Sequence, residues 1–283
     1  MGRSWPSHPP GRRNGQAVGA VPRRVARTGL PRSRAVLLDM DDTIFDHSLT
    51  CRAAISALRR TEPYLRRRPL EALWREYLEL LDAVGPRIGA GSLSVAEART
   101  ERWRRIAASC GRELLEPEAV ELSRRYRDQY QRRRRAVPGA RQLLEHLHGH
   151  ARVVVVTNNE VAEQEEKVRF LGIGPLLDGL VVSEAVGVGK PDPRIFEVAL
   201  SAANVPASAT TMLGDSWTSD VLGARAVGIR AVWFNRFGRP LPDGGGVVEL
   251  RSLRPVTPVV DLLLDRHGSA PSRRVVREDA SEL

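Results

Sequence analysis

Residues 35–43 read AVLLDMDDT, a short apolar run that ends in a group of carboxylates. A run of this length is typical of a parallel strand that is buried on both faces of a sheet. Open α/β sheets bind their ligands beyond the carboxyl ends of such strands. The stretch therefore predicts the first strand of a parallel sheet, with Asp39 at the edge where ligands bind.

Similar apolar runs recur along the chain, separated by segments with helical spacing. This alternation predicts an α/β fold, namely a Rossmann-like parallel sheet with helices on both faces. An edge strand at residues 247–250 and a short helix near 259–264 are expected after the last run. The runs themselves occupy residues 35–38, 152–156, 180–182, 211–213 and 230–234.

The segment between the first two runs predicts about four helices and no strand. Apolar residues over 70–84 follow the spacing of one helix face, and those over 119–130 mark another helix. Ser94 and Glu97 form the signature of a capping box at a helix start. Because the sheet resumes directly after this segment, we expect an inserted all-helical cap domain that leaves and re-enters the core at adjacent points.

Composition sets the expected domain boundaries. Residues 1–33 are rich in Pro, Gly and Arg without a hydrophobic period, which predicts a disordered basic tail. Such a tail fits a transit peptide, a contact for anionic partners, a plain solvated extension or an over-called start site. We expect the Rossmann-like core at residues 34–48 and 136–266, the cap at 49–135 and a disordered C-terminal tail at 267–283.

The net charge of +10 is concentrated in two places. Residues 1–34 hold eight Arg and no acid, and residues 51–135 hold 20 basic and 12 acidic residues, which leaves −6 for the rest of the chain. The basic tail and cap therefore keep open a nucleic-acid-binding protein with contacts at 66–68 and 132–135. Solvated helix ends explain the same arginine runs, so we do not expect nucleic acid as a partner.

Other classes are excluded by what the sequence lacks. The two cysteines, Cys51 and Cys110, lie too far apart for a disulfide framework or a cysteine metal site. Neither an apolar run long enough to span a membrane nor an apolar signal-peptide region is present in the sequence. We therefore expect a cytoplasmic protein without a membrane partner.

The carboxylates after the first run indicate a metal site. Asp39 and Asp41 are two residues apart, so both reach one site once the chain turns out of the sheet. Their mutual repulsion requires a cation, and hard oxygen ligands favour Mg²⁺. A solvated acidic turn or a helix cap would explain the same residues.

Three further segments place polar groups after predicted strands. Thr157 and Asn158 follow one strand, where a hydroxyl and backbone N–H groups suit a phosphate oxygen. Lys190 lies on the approach to a helix, and Asp215 and Asp220 follow a further strand. Each segment alone also fits an ordinary helix cap. Together they predict four carboxylates, a hydroxyl and an ammonium group at one edge of one sheet.

Lysine is rare in this chain, with 42 Arg but only Lys167 and Lys190. A lysine kept among so many arginines indicates that a compact point charge is needed at Lys190. The sequence indicates no such role for Lys167.

These motifs resemble the four motifs of the haloacid dehalogenase superfamily. The matching segments are Asp-x-Asp-x-Thr at 39–43, Thr157-Asn158, Gly-Lys-Pro-Asp-Pro at 189–193, and Gly214-Asp215 with Asp220. They occur in the family order, the resemblance covers roughly residues 35–265, and the helical insert resembles the family's class I cap. The N-terminal tail lies outside it.

The resemblance implies a catalytic mechanism. Asp39 would attack a phosphomonoester and form an aspartyl-phosphate. Asp41 would protonate the leaving oxygen and later take a proton from water, for which we predict a pKa raised by neighbouring carboxylates and partial burial. Thr157, the N–H of Asn158 and Lys190 would hold the phosphoryl group.

The resemblance also implies a metal and its ligands. Mg²⁺ would be held by the carboxylate of Asp39, the main-chain carbonyl of Asp41 and Asp215. Asp220 would lie close by, acting through water or by orienting Lys190. Magnesium and Lys190 together would neutralise the charge of the phosphate.

Within the family, the sequence favours a phosphatase. Dehalogenases lack the second carboxylate of the first motif, which is Asp41 here, and phosphonatases use a cap lysine, whereas residues 51–135 contain none. A phosphomutase shares all four motifs and remains the alternative. We expect a small phosphorylated metabolite as the substrate.

Overall fold

A parallel sheet forms the centre of the computed structural model, which describes residues 33–89, 92–242, 246–265 and 275–276. Within these residues the sheet has seven strands. They are β1 (Ala35–Leu38), β2 (Arg152–Thr157), β3 (Gly179–Val182), β4 (Thr210–Gly214), β5 (Arg230–Phe234), β6 (Val248–Leu250) and β7 (Val275–Val276).

The order of the strands is β3-β2-β1-β4-β5-β6-β7. Strands β2 and β3 are added on one side of β1, and β4 to β7 are added on the other side. The order of the strands therefore reverses direction beside β1. Leu38 pairs with Val155 of β2 and with Leu213 of β4, which brings the ends of the three strands level. Ligands bind at such a switch point, beyond the carboxyl ends of the strands.

Strand β1 is buried on both faces, because its side chains alternate between two apolar layers. Val36 and Leu38 pack in one hydrophobic cluster, and Ala35 and Leu37 pack in the other. The four-residue apolar run thus has no polar face, as its sequence predicts.

Four long helices, inserted between β1 and β2, pack on one another around their own core. Leu73, Tyr77, Trp103 and Tyr126 are buried together in this core. Ser94 caps the third helix through the predicted capping box with Glu97. The helices are α1 (His47–Thr61), α2 (Leu70–Gly89), α3 (Val95–Ser109) and α4 (Glu116–Arg132), with a 3₁₀ turn at Pro63–Arg67.

The remaining helices cover both faces of the sheet. Side chains of α5 and α10 enter the cluster that holds Val36, and side chains of α8 and α9 enter the cluster that holds Leu37. These helices are α5 (Ala140–His148), α6 (Val161–Leu171), α7 (Ser183–Val186), α8 (Pro193–Ala203), α9 (Gly223–Ala226) and α10 (Val256–Leu263). Short 3₁₀ turns lie at Gly174–Leu176 and Ala207–Ala209.

The helical insert joins the core through two chain segments that lie side by side. Phe45 and Ala136 form an antiparallel bridge between them. Asp46 N–H donates to the carbonyl of Arg135 at 3.0 Å, and Val137 N–H donates to the carbonyl of Ile44 at 2.8 Å. The expected adjacency of entry and exit is therefore present, while the exact domain boundaries stay a prediction.

The predicted α/β fold is confirmed, and the predicted strands match β1 to β5. The expected edge strand is β6, but β7 lies beside it, so part of the segment predicted as a disordered C-terminal tail is a short strand. The rest of that tail beyond 265, and residues 1–32 of the N-terminal tail, lie outside the described residues. No described helix combines the length and the apolar character that a bilayer crossing requires.

The two arginine runs considered as nucleic-acid contacts are engaged within the chain. Arg66 donates to the carbonyl of Arg59 at 2.8 Å, and Arg68 pairs with Glu76. In the second run, Arg134 Nη1 lies 2.9 Å from Glu166 Oε1 on α6. These contacts join turns and helices of the fold. Cys51 and Cys110 are both buried, and neither forms a disulfide within the described residues.

Candidate functional site

A buried lysine joins two buried carboxylates at the carboxyl ends of β1 and β4. Lys190 Nζ lies 2.6 Å from Asp39 Oδ1 and 2.6 Å from Asp220 Oδ1. All three residues are buried. Because charges away from water interact strongly, this arrangement fixes the ammonium group between the two acids.

Asp215 completes a cluster of three carboxylates with Asp39 and Asp220. One oxygen from each side chain lies within 4.8 Å of the other two. Burial raises the pKa of Asp39, Lys190 lowers it and Asp220 raises it again, so that it lies at about 7. Burial and the charges of Asp39 and Asp220 hold the pKa of Asp215 well above its ordinary value. The carboxylates therefore repel one another in the absence of a cation.

Asp220 is placed by a π-helical turn, Trp217–Leu222, that follows β4. Its Oδ2 accepts the backbone N–H of Ser216 at 2.9 Å, which leaves Oδ1 for Lys190. π-helical turns of this kind occur frequently at functional sites. Gly214 gives Asp220 the space it needs, since a Cβ on Gly214 would overlap the carboxyl group of Asp220.

We expect Gly214→Ala to displace Asp220 and lower both stability and any turnover. Overpacking of this kind costs about 1–3 kcal/mol, so the melting temperature should fall. Gly149→Ala is the matched control, because Gly149 has a φ of −75° and the nearest atom to its added Cβ is 4.0 Å away. Thermal unfolding of the two variants would measure the difference; equal melting temperatures would show that Asp220 tolerates the methyl group.

Asn158 holds the segment that carries Lys190. Its Oδ1 accepts the backbone N–H of Lys190 at 2.7 Å, and its Nδ2 donates to the carbonyl of Lys190 at 2.8 Å. Thr157, the last residue of β2, is buried beside this pair. The side chain of Asn158 thus has a positioning role that its sequence motif does not reveal.

Asp41 lies apart from the three-carboxylate cluster and contacts a second lysine. Lys167 Nζ donates to Asp41 Oδ1 at 2.7 Å and to Oδ2 at 2.8 Å. Gln164, one helical turn earlier on α6, donates from Nε2 to Asp41 Oδ2 at 3.2 Å. His47 Nδ1 lies 3.7 Å from Asp41 Oδ1. Both oxygens of Asp41 are therefore held by donors from other elements.

The predicted rise in the pKa of Asp41 is wrong for this structure. Burial raises the pKa of Asp41, but the charges of Lys167 and His47 lower it by more, to about 2. The prediction considered the carboxylates near Asp41 in the sequence and missed the lysine that reaches it from α6. Asp41 is consequently ionised at neutral pH when nothing else is bound.

The sequence prediction missed Lys167 and Gln164. Both are buried, and Lys167 also lies 3.3 Å from Glu163 Oε1. Their spacing of three residues on a helix places both on one face, toward Asp41. The rarity of lysine was the one available signal, and it applied to Lys167 as much as to Lys190.

Comparison with known proteins identifies the family. A model of the haloacid dehalogenase-like hydrolases matches residues 33–228. The chain belongs to this family. This haloacid dehalogenase-like hydrolase is 33% identical over 259 residues to the phosphoserine phosphatase of Thermus thermophilus, a match that covers 79% of the chain and 97% of that protein.

Solved structures resemble the same hydrolase fold. The magnesium-bound putative HAD-hydrolase YfnB of Bacillus subtilis matches with a TM-score of 0.65 and 24% identity, over 81% of this chain and 99% of that one. A 2-haloacid dehalogenase of Pseudomonas syringae matches with a TM-score of 0.54 and 28% identity, over 81% and 98%. A phosphatase and a dehalogenase therefore stand among the similar proteins.

Proposed function

We propose that this hydrolase is a Mg²⁺-dependent phosphatase that cleaves a small phosphorylated metabolite through an aspartyl-phosphate on Asp39. The observation that carries the proposal is Lys190 between Asp39 and Asp220 at the end of β1. A nucleophile beside a fixed ammonium group suits attack on a phosphate dianion, whose charge must be neutralised. The phosphatase relative supports the same reaction class.

The residues present fit a magnesium ion. Asp39, Asp215 and Asp220 offer hard oxygen donors within reach of one another, as Mg²⁺ prefers. Burial and then the charges of neighbouring carboxylates raise the pKa of Asp39 and of Asp215, and a cation would relieve the repulsion between these carboxylates. We propose that Asp39, Asp215 and the main-chain carbonyl of Asp41 hold the ion, with Asp220 close by. When bound, it would supply positive charge to the phosphate and to the attacking carboxylate.

In the first step, a carboxylate oxygen of Asp39 forms a bond to phosphorus while the bond from phosphorus to the ester oxygen breaks. Lys190 keeps Asp39 oriented and offsets the negative charge that enters the site. We propose that Thr157 and the N–H of Asn158 receive phosphoryl oxygens at the adjacent strand end.

Asp41 then serves the leaving oxygen and the attacking water in turn. A phosphate dianion beside Asp41 raises the pKa of its carboxyl group, so the carboxyl can carry the proton that the leaving oxygen needs. In the second step Asp41, ionised again, takes a proton from the water that attacks the phosphoryl group on Asp39. Inorganic phosphate leaves, and Asp39 is regenerated.

Asp41 also favours a phosphatase over a dehalogenase. A halide leaves without a proton, so a dehalogenase has no use for a carboxylate held as firmly as Asp41 is by Lys167 and Gln164. A phosphomutase uses the same residues and differs in returning the phosphoryl group to the sugar. Its product would be an isomer of the substrate, not free phosphate.

Phosphate release from a panel of phosphorylated metabolites, with and without Mg²⁺, tests the proposal. We expect turnover of para-nitrophenyl phosphate and of at least one metabolite with Mg²⁺, and its loss when the metal is chelated. Isomerisation without phosphate release would indicate the mutase. Halide release from a 2-haloacid in place of phosphate release would indicate the dehalogenase.

A further inference from the structure

A cavity of about 300 Å³ lies among the helices of the insert. Side chains of α2, α3 and α4 line it, including Tyr77, Arg102 and Tyr126. His47 of α1 and Glu163 of α6 also line it. The volume is at the lower end of the range for small-molecule sites, so a group of a few heavy atoms fits.

Arg102 is a buried cation, and no acidic side chain among the described residues pairs with it. Its exposed fraction is 5%, and its Nε is buried and makes no hydrogen bond in the described part of the protein. Its Nη1 donates to the hydroxyl of Tyr77 at 3.1 Å, and the guanidinium carbon lies 4.8 Å from the centre of the Tyr77 ring. Among the described side chains, no carboxylate lies within 4.0 Å of it. Burying an unpaired charge costs free energy, and a bound anion beside Arg102 would offset that cost.

The other arginines that line the cavity are already paired. Arg99 pairs with Glu163, Arg127 Nη2 lies 3.4 Å from Glu166, and Arg124 lies 2.7 Å from Glu121 and 3.0 Å from Asp128. Of these four lining arginines, Arg102 alone therefore keeps its charge free for a group that enters the cavity.

The cavity adjoins the carboxylate that serves the leaving oxygen. His47, which lines the cavity, lies 3.7 Å from Asp41. Glu163, which also lines the cavity, lies 3.3 Å from Lys167, and Lys167 donates to both oxygens of Asp41. A leaving group that reaches from Asp41 past His47 would enter the cavity.

We propose that the cavity receives an anionic leaving group, with Arg102 as the residue that binds its carboxylate or second phosphate. The inference rests on the proposed phosphatase function and narrows its substrates to small phosphate esters whose alcohol carries a negative charge. Tyr77 contacts the guanidinium of Arg102 in the wall of the cavity, and the hydroxyl of Tyr126 donates to the hydroxyl of Tyr77 at 3.0 Å. An uncharged alcohol would leave Arg102 buried without a counter-ion.

Matched ester pairs test this in the intact protein with Mg²⁺. Phosphoglycolate and ethyl phosphate share two carbons and differ in the carboxylate; propane-1,3-diol bisphosphate and propyl phosphate differ in the second phosphate. We expect kcat/KM to favour the charged member of one pair by about 10- to 100-fold, the usual worth of a hydrogen bond to a charged group. The pair that shows the preference identifies the carboxylate or the phosphate.

Arg102→Met should bring the ratio of kcat/KM for the charged ester to kcat/KM for the uncharged ester close to one. The change should come chiefly from a rise in KM for the charged ester. Arg124→Met is the matched control: Arg124 also lines the cavity but is paired with Glu121 and Asp128, so the ratio should stay as in the parent. Arg102→Lys, which keeps the charge, should restore part of the preference.

The outcomes separate this inference from the proposed function. If the protein cleaves para-nitrophenyl phosphate but has the same kcat/KM for both members of each pair, the inference that the cavity receives an anionic leaving group is wrong. This result does not depend on whether Arg102→Met folds. A preference that survives in a folded Arg102→Met variant would overturn the role of Arg102. A protein that is inert toward every ester would instead contradict the phosphatase function.

Discussion

Asparagine in place of Asp39 is expected to abolish phosphate release, with a loss of at least about 10³-fold in kcat, as for other enzymes that lose their nucleophile. The amide keeps the shape of the side chain but cannot form the acyl phosphate. It also removes one of the two charges that hold Lys190, which remains paired with Asp220 at 2.6 Å. The variant should therefore lose its catalytic activity and keep its fold.

Two measurements check this result. Acid quenching of the parent protein with labelled substrate should trap phosphate on the chain, and Asp39→Asn should trap none. Asp192→Asn is the control from the same edge of the sheet: Asp192 accepts the N–H of Arg194 at 2.9 Å as the cap of α8, and asparagine caps helices equally well. Turnover of para-nitrophenyl phosphate by Asp39→Asn at the parent rate would show that another residue is the nucleophile.

Asparagine in place of Asp41 is expected to lower kcat for alkyl phosphates by about 10²- to 10⁴-fold, the usual contribution of a general acid or base. The loss should be smaller for para-nitrophenyl phosphate, because a nitrophenolate leaves with little need of a proton. The measurement is kcat for a series of esters whose alcohols differ in pKa, in the parent and in the variant. A steeper dependence on the leaving group in Asp41→Asn would identify Asp41 as the group that protonates the ester oxygen.

The neighbouring Asp42 supplies the matched control. It has a φ of 61°, which asparagine tolerates, and its Oδ1 accepts the N–H of Ser48 at 2.8 Å. Asp42→Asn should change turnover by less than about tenfold and equally for all esters, because this change removes no proton donor. Equal losses for activated and unactivated esters in Asp41→Asn would argue against the acid role and leave Asp41 as a support for the loop.

The sequence was sufficient for β1 to β5 because each of these strands contains a short apolar run with buried side chains. Runs such as 35–38 have no polar face to confuse with an amphipathic helix, and their polar endings mark the carboxyl edge. Strand β7 was missed because two valines are too short a run to detect. The neighbouring strand β6 was predicted, but as an edge strand. Because β7 pairs with it, β6 lies inside the sheet.

The site was predictable to the extent that its residues follow strands. Asp39, Asp215 and Asp220 meet because β1 and β4 are neighbours in the sheet. Lys167 reaches Asp41 from a helix 126 positions away, and no spacing along the chain signals such a contact. The ionisation of Asp41 was misjudged for the same reason. Arg102 belongs to a buried face of α3, and the helical period alone cannot show that no described carboxylate pairs with its charge.

The two side-by-side connections at Phe45 and Ala136 allow the helical insert to vary as a module. Since the chain leaves and returns at one point, helices could be lengthened, lost or exchanged without shifting the register of β1 against β2. The acids and the lysine that would perform the chemistry lie in the core beside the ends of the strands, whereas Arg102 lies in the helical insert. Substitutions in the helical insert could thus change which alcohol is recognised while the catalytic residues stay the same.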